Sequence, residues 1–252
     1  MEGQVATDQS ARLAELIRES ECTVALTGAG ISVPSGIPDF RTPGKGLWEK
    51  VDPMKVAHID AFRSDPVSFW EFYRPRLHSL DGIEPNPAHQ ALAELERRRL
   101  LEGVITQNID TLHTKAGSER VVEVHGSIRT ASCQACDASY ELAKVEELFD
   151  EDGVATCSSC ASLVKPDVVL FGELLPAEAM LEAEALASRA DLLLCIGSSL
   201  EVYPVAGLPS VTLAGGGRVA IVTQGPTPYD GDAEVRMNGD VVADLEAVLG
   251  AL

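Results

Sequence analysis

The chain has 252 residues, 45% of them hydrophobic, with 39 acidic side chains against 20 basic ones and a formal net charge of −19. That length buries a full core without disulfides, and the apolar content excludes intrinsic disorder. No apolar run approaches the ~20 residues of a bilayer span, and so acidic a surface repels phosphates. Neither a membrane nor a nucleic acid is expected as a partner. The N-terminus, Met1-Glu2-Gly3-Gln4, has neither the basic nor the apolar region of a signal peptide, so a cytoplasmic location is the expectation.

Taken in chain order, residues 8–20 predict a helix with Thr7 or Asp8 as cap and Leu13, Leu16 and Ile17 on one face. A buried strand at 22–27 runs into Gly28-Ala29-Gly30, and residues 36–80, rich in Pro, Gly and aromatics, read as an extended loop plus a helix. Asn86 and Pro87 open a helix to about Arg99. Next come a strand at 103–106, a short helix near 111–116 and a strand at 121–124. After an interruption at 126–165 there is a strand at 167–171, a helix at 177–188 and a strand at 191–196. A helix near 204–213, a strand at 218–223 and a last helix from about Asp240 to Leu249 complete the series. Strands alternating with helices predict an α/β fold with a parallel sheet covered on both faces. The two stretches that break the alternation predict a smaller module.

Cys133-x2-Cys136 and Cys157-x2-Cys160 form two knuckles able to place four thiolates around one Zn²⁺. Two reduced pairs or a redox disulfide are the bland alternative, and a reducing compartment disfavours the disulfide. Four thiolates leave no position for water, so the ion is expected to be structural. Cys22 and Cys195 lie in apolar strands and read as small buried hydrophobes. Glu141, Glu146, Glu147, Asp150, Glu151 and Asp152 lie between the knuckles, the wrong sign for a nucleic-acid-binding ribbon.

Glycines after a buried strand let backbone N–H groups approach a pyrophosphate. The third glycine of the dinucleotide fingerprint is replaced by Val33, which disfavours a hydride-transferring dehydrogenase. The residues around and beyond these glycines are more specific. Gly28-Ala29-Gly30-Ile31-Ser32 and Ser35-Gly36-Ile37-Pro38-Asp39-Phe40-Arg41 resemble the signature of the sirtuins, the NAD-dependent protein-lysine deacylases. Further matches come in that family's order: Thr106-Gln107-Asn108-Ile109-Asp110-Thr111-Leu112-His113, His125-Gly126, the four cysteines, Val168-Val169-Leu170-Phe171-Gly172-Glu173 and Gly197-Ser198-Ser199-Leu200. The likeness spans about residues 10 to 250.

The resemblance implies a Rossmann-like parallel-sheet domain, about 8–35, 81–125 and 166–252, with a smaller zinc-ribbon and helical module from insertions at about 36–80 and 126–165. It implies that acyl-lysine proteins or peptides and NAD⁺ meet between the two, and that the acyl oxygen attacks the nicotinamide ribose at C1′. The products would be free lysine, nicotinamide and an O-acyl-ADP-ribose. His125 would be the general base, a role suited to imidazole. By the same analogy Asn108 holds the nicotinamide ribose or a water, and Asp110 accepts from the carboxamide. Phe40 would shield C1′, while Arg41 and Ser198 suit phosphates. Gly28, Ala29, Gly30, Ser32, Ile37, Asp39, Gln107, Ile109, Gly197, Ser199 and Val241 complete the implied NAD contacts. Val168, Val169, Phe171, Gly172 and Glu173 would border a cleft that takes the substrate peptide as an added strand. His113 is expected to order its loop.

Two places depart from the family pattern or leave a choice. Thr223 stands where the family often has Asn, which alters an adenosine-ribose contact but no chemical step. Tyr73-Arg74-Pro75-Arg76 resembles the Tyr-x-x-Arg pair of the succinyl- and malonyl-removing subclass, and Tyr73 and Arg76 at i and i+3 could clamp a carboxylate. Against that stand Pro75, expected to disturb the helix, and a long loop at residues 42–46; an ordinary Arg beside a packing Tyr is the other reading. Mono-ADP-ribosyl transfer and a non-catalytic NAD-sensing module are the remaining alternatives. The oligomeric state is left open, a monomer included.

Overall fold

A computed structural model describes residues 2–39, 46, 51–80 and 82–252. Its strands are β1 (Thr23–Thr27), β2 (Gly103–Thr106), β3 (Val121–Glu123), β4 (Gly126–Cys133), β5 (Ser139–Glu141), β6 (Val164–Val168), β7 (Leu192–Ile196), β8 (Arg218–Val222) and β9 (Ala233–Met237). The helices are α1 (Glu2–Glu19), α2 (Pro53–Val56), α3 (Ile59–Ser64), α4 (Pro66–Ser79), α5 (Pro87–Arg97), α6 (Leu112–Lys115), α7 (Leu142–Val145), α8 (Ala177–Arg189), α9 (Leu208–Ala214) and α10 (Val241–Ala251).

Strands β1 and β7 are buried along their whole length and so read as unbroken apolar runs, the pattern of a parallel sheet covered on both faces. With their neighbours they form a six-stranded sheet in the order β3-β2-β1-β7-β8-β9, parallel throughout. Renumbered within the sheet this is the doubly wound order 3-2-1-4-5-6, which reverses between β1 and β7. One face packs Leu13 and Leu16 of α1, Leu92 and Leu95 of α5 and Leu245 of α10 against Ala25 and Leu194. The other packs Leu186 and Ala187 of α8 and Leu208 of α9 against Leu26 and Leu193. The cap of α5 is the one read from the sequence: Asn86 Oδ1 accepts from Ala88 N at 2.9 Å.

A second sheet, β5-β4-β6, is antiparallel. Its apolar face does not close on itself. Ile128, Val164 and Leu170 share one core with Ile59, Phe62, Phe69 and Trp70 from α3 and α4, so the two stretches that interrupt the alternation fold into one smaller module. Arg74 ties α4 to the ribbon side: its guanidinium bonds the Glu146 carboxylate and sits 4.2 Å over the Phe149 ring.

Several elements differ from the sequence expectation. Helix α1 starts before Thr7 and Asp8, since no proline interrupts residues 2–8. The expected strand at 167–171 runs instead over Val164–Val168 and pairs with β4 in the small sheet. The apolar run beyond it cannot continue a ladder, because Leu170 N is taken by Glu173 Oε2 at 2.8 Å and Gly172 turns the chain at φ 85°. Residues 51–80 hold three helices, their N-termini capped by the side chains of Asp52, His58 and Asp65, where one helix was expected. Helix α4 passes through Pro75. The packing of Phe69, Trp70 and Tyr73 before it and Leu77 after it outweighs one lost backbone bond. The helix expected near 204–213 is a 3₁₀ turn at Val205–Gly207 running into α9. Strand β9 was not foreseen at all.

Candidate active site

In a doubly wound sheet, ligands bind outside the carboxyl ends of the strands where the order reverses. Here that point lies between β1 and β7, and both ends are built from glycine. Gly28 N donates to Ile196 O at 3.0 Å and Gly30 N to Gly197 O at 2.8 Å. A Cβ on Gly30 would lie 2.8 Å from Gly197 Cα, and one on Gly197, whose φ is 62°, would lie 2.2 Å from Ile31 N. The two loops interlock backbone to backbone, forming a floor of main chain. Such a floor suits the close approach of a pyrophosphate.

Polar side chains rim this floor in one connected network. Ser32 Oγ donates to Asp110 Oδ2 at 2.7 Å and accepts from Asn108 Nδ2 at 3.1 Å. Asn108 Nδ2 also donates to Gly28 O at 3.1 Å. A carbonyl can only accept, so the amide orientation is fixed and both Asn108 hydrogens are spent on the protein. Its Oδ1 is left as the acceptor for a ligand. Gln107 Nε2 donates to Ser198 Oγ at 3.0 Å, and Leu200 N donates to the same oxygen at 3.2 Å. Ser198 therefore accepts twice and keeps its own proton to give. Asp110 Oδ1 accepts from Leu112 N at 2.9 Å, which fixes the carboxylate at the start of α6.

His125 lies where the chain leaves the parallel sheet after β3 and enters β4. Its Nδ1 is 2.9 Å from the Gln107 carbonyl, so that nitrogen must carry the proton and Nε2 presents a lone pair. Burial pushes the imidazole below its ordinary value, partly opposed by that bond. Gly126 is required next to it: with φ 73°, any Cβ there would lie 2.1 Å from Asp167 O.

The four cysteine sulfurs lie within 4.8 Å of one another. Cys133 to Cys160 is 3.4 Å, Cys136 to Cys157 3.7 Å and Cys136 to Cys160 3.6 Å. A disulfide is about 2.05 Å, whereas four sulfurs about 2.3 Å from one Zn²⁺ sit about 3.8 Å apart. The donor set and its spacing fit a closed tetrahedral zinc site.

A sequence model of the Sir2 family matches residues 28–204. The chain belongs to the Sir2 family. It is 46% identical over 235 residues to the NAD-dependent protein deacetylase of Thermotoga maritima, covering 93% of this chain and 95% of that one. A solved structure of a Sir2 variant with a deacetylated p53 peptide and 3′-O-acetyl ADP-ribose superposes with a TM-score of 0.91 at 44% identity, covering 95% of this chain and 96% of that one. A Sir2–p53 peptide–NAD⁺ structure gives 0.87 at 43% identity, with the same coverage of 95% and 96%.

The remaining expected site residues of this Sir2 chain are spread over the loop after β1, the ends of the parallel strands, the start of α10 and the turn beyond β6. Ala29 and Ile37 stand on the loop after β1, with Ile37 N bonded back to Ser32 O. Asp39 ends the described part of that loop, and Phe40 and Arg41 lie outside the described residues. Ile109 and Ser199 are half-buried beside Asn108 and Ser198, while Thr223 is buried at the end of β8 and Val241 opens α10. Val168 and Val169 run along the small sheet, and Val169 N donates to His125 O at 2.9 Å. Phe171 and Gly172 form the exposed turn that Glu173 N closes on Leu170 O at 3.0 Å.

Tyr73 and Arg76 do share a face of α4. Tyr73 stacks on Phe69 at 4.4 Å, and burial pushes its phenol up. Arg76 lies 3.4 Å over the Phe72 ring and donates to Phe72 O at 2.5 Å.

Sequence reasoning missed His89, Thr27 and Lys165. His89 sits on the buried face of α5 and donates from Nε2 to Ser32 Oγ at 3.3 Å. His113, foreseen only as a loop-ordering residue, bonds Thr27 Oγ1 at 2.9 Å. Position 89 lies within the apolar stripe of Ala88, Ala91, Leu92 and Leu95; a histidine there was the available signal.

Proposed function

We propose that the chain is an NAD-dependent protein-lysine deacylase acting on acyl-lysine proteins or peptides, with His125 as its general base. The observation that carries this reading is the fixed tautomer of His125, whose Nδ1 sits on the carbonyl of Gln107, the residue before Asn108, and leaves Nε2 to present a lone pair. When bound, NAD supplies an electrophilic ribose carbon once nicotinamide leaves. The glycine floor receives the pyrophosphate, with Ser198 giving its hydroxyl proton to a phosphate oxygen. Asn108 Oδ1 orients the nicotinamide ribose, and Asp110, held by Ser32 and Leu112 N, accepts from the carboxamide. His125 Nε2 takes the proton from a ribose hydroxyl, and burial, which lowers the pKa of the imidazole, keeps the ring neutral for that role. Zinc held by Cys133, Cys136, Cys157 and Cys160 braces the small sheet and takes no part in the chemistry.

Acetyl is proposed as the principal acyl group. Arg76 already lies on its own helix turn against Phe72, an arrangement that supports a packing role over a carboxylate clamp.

A nicotinamide-release assay over acetyl-, propionyl- and succinyl-lysine peptides, with mass spectrometry of the products, tests both statements. Acetyl turnover yielding O-acetyl-ADP-ribose, absent in a folded, zinc-loaded His125→Ala variant, is the expected result. Label appearing on protein instead points to ADP-ribosyl transfer, and NAD binding without nicotinamide release to a sensing module. Succinyl turnover that exceeds acetyl turnover and disappears in Arg76→Leu overturns the acyl assignment.

A further inference from the structure

Lys165 is an ammonium in an unusual place. It lies on β6 with its side chain only 8% exposed, and its three donors are all used. Nζ is 3.0 Å from Pro166 O, 2.7 Å from Val168 O and 3.1 Å from Glu173 Oε2. The same Glu173 oxygen accepts from Leu170 N at 2.8 Å. One buried ion pair thereby gathers two carbonyls, one amide and one carboxylate from a single stretch, residues 165–173.

That stretch is not inert. Between the atoms Lys165 gathers, Val169 N donates to His125 O, and Gly126 pairs with Val168. On its far side Phe171 N donates to Ala57 O at 2.8 Å, and Phe171 O accepts from Ile59 N at 3.0 Å. Each alternate backbone group is thus committed either to His125 or to the helical insertion. The ammonium sits at the inside of the curve that makes both pairings compatible. Two features make the pair more than packing. A buried charge costs several kcal/mol unless fully bonded, and an apolar side chain would fill the same space without that cost. In addition, the Tyr73 phenol, pushed up by burial and lowered by Arg76, is also raised by the Glu173 charge, so the carboxylate lies within electrostatic reach of α4.

We propose that Lys165, paired with Glu173, is a positioning residue that sets the shape of the peptide-receiving segment and, through the Val169–His125 pairing, the seat of the general base. The proposal rests on the deacylase reading, whose substrate is the peptide it concerns.

Lys165→Met, which keeps length and removes charge, tests it. The expected result is a roughly tenfold weaker affinity for an acetyl-lysine peptide, the size of a lost charge-assisted bond, measured by fluorescence anisotropy. KM for peptide should rise in parallel and kcat should fall, while ADP-ribose affinity stays within about twofold and one zinc remains bound. Glu173→Gln keeps an acceptor for Leu170 N and removes only the ion pair; it should show the same split more weakly and serves where Lys165→Met does not fold. Peptide affinity within about twofold of wild type in a folded variant overturns the proposal and leaves the pair a stability element. Wild-type turnover in the nicotinamide-release assay reports separately on the deacylase reading.

Discussion

His125 carries a tautomer chosen by a neighbour that can only accept. Because the Gln107 carbonyl holds the proton on Nδ1, the imidazole cannot present the wrong nitrogen to a hydroxyl. Burial acts on the same ring in a second way, favouring its neutral form. A general base must be neutral, and a depressed pKa keeps it neutral further into acid. The acid limb of kcat/KM for deacylation should therefore have its midpoint below about 6.5, the ordinary imidazole value. A midpoint at or above that value would show that the limb belongs to another group. Asn108 illustrates the same economy, since its two N–H bonds to Gly28 and Ser32 leave a single atom to meet a ligand.

At the scale of elements, the small sheet depends on its knuckles. Strand β4 ends at Cys133, and the core beside it contains Cys157 together with Trp70, which packs edge-on against Phe149 at 5.0 Å. Stripping the metal with a strong chelator should unseat this core, shift the tryptophan emission and abolish deacylation, with both restored by added Zn²⁺. Unchanged emission and activity in metal-free protein would contradict a bracing role. The parallel sheet was legible in the sequence because its strands are unbroken apolar runs between helices with good caps, as at Asn86 and Asp240. The small sheet was less so. Strand β6 carries Lys165 and Pro166, neither of them a strand-former by pattern, and the apolar Val169–Phe171 beyond it belongs to a turn. Edge strand β9 exposes Glu234 and half-exposes Arg236, which dilutes its apolar signal. For the site, motifs located His125, Asn108 and the cysteines, whereas Lys165 and His89 act from buried positions whose partners are remote in sequence or hidden by the turn.

For the molecule as a whole, two opposing pH effects meet. A net charge of −19 favours unfolding through self-repulsion, which acidification relieves. Against that stand His89 and His113, packed edge to face with ring centroids 4.9 Å apart and their Nδ1 atoms buried and unbonded. Burial pushes them down to about 4 and about 3, with Asp110 opposing for His89 and His89 adding to the effect on His113. Their folded values lie below the unfolded one, so their contribution is complete above about 6.5 and is lost as pH falls toward the folded values. Between pH 6.5 and 5 each such histidine should remove about 2 kcal/mol. Urea unfolding at pH 7 and pH 5 separates the effects: His113→Gln should lose less stability over that interval than wild type, and an equal loss would absolve the pair. His125 and Gly126 stand at the crossing between the two sheets. The ring sits on the seam where one sheet is stitched to the other, with Val169 as the second stitch. The aim of the base is thus tied to the integrity of that seam, so a change that loosens it should surface as lost proton transfer before it surfaces as lost nucleotide binding.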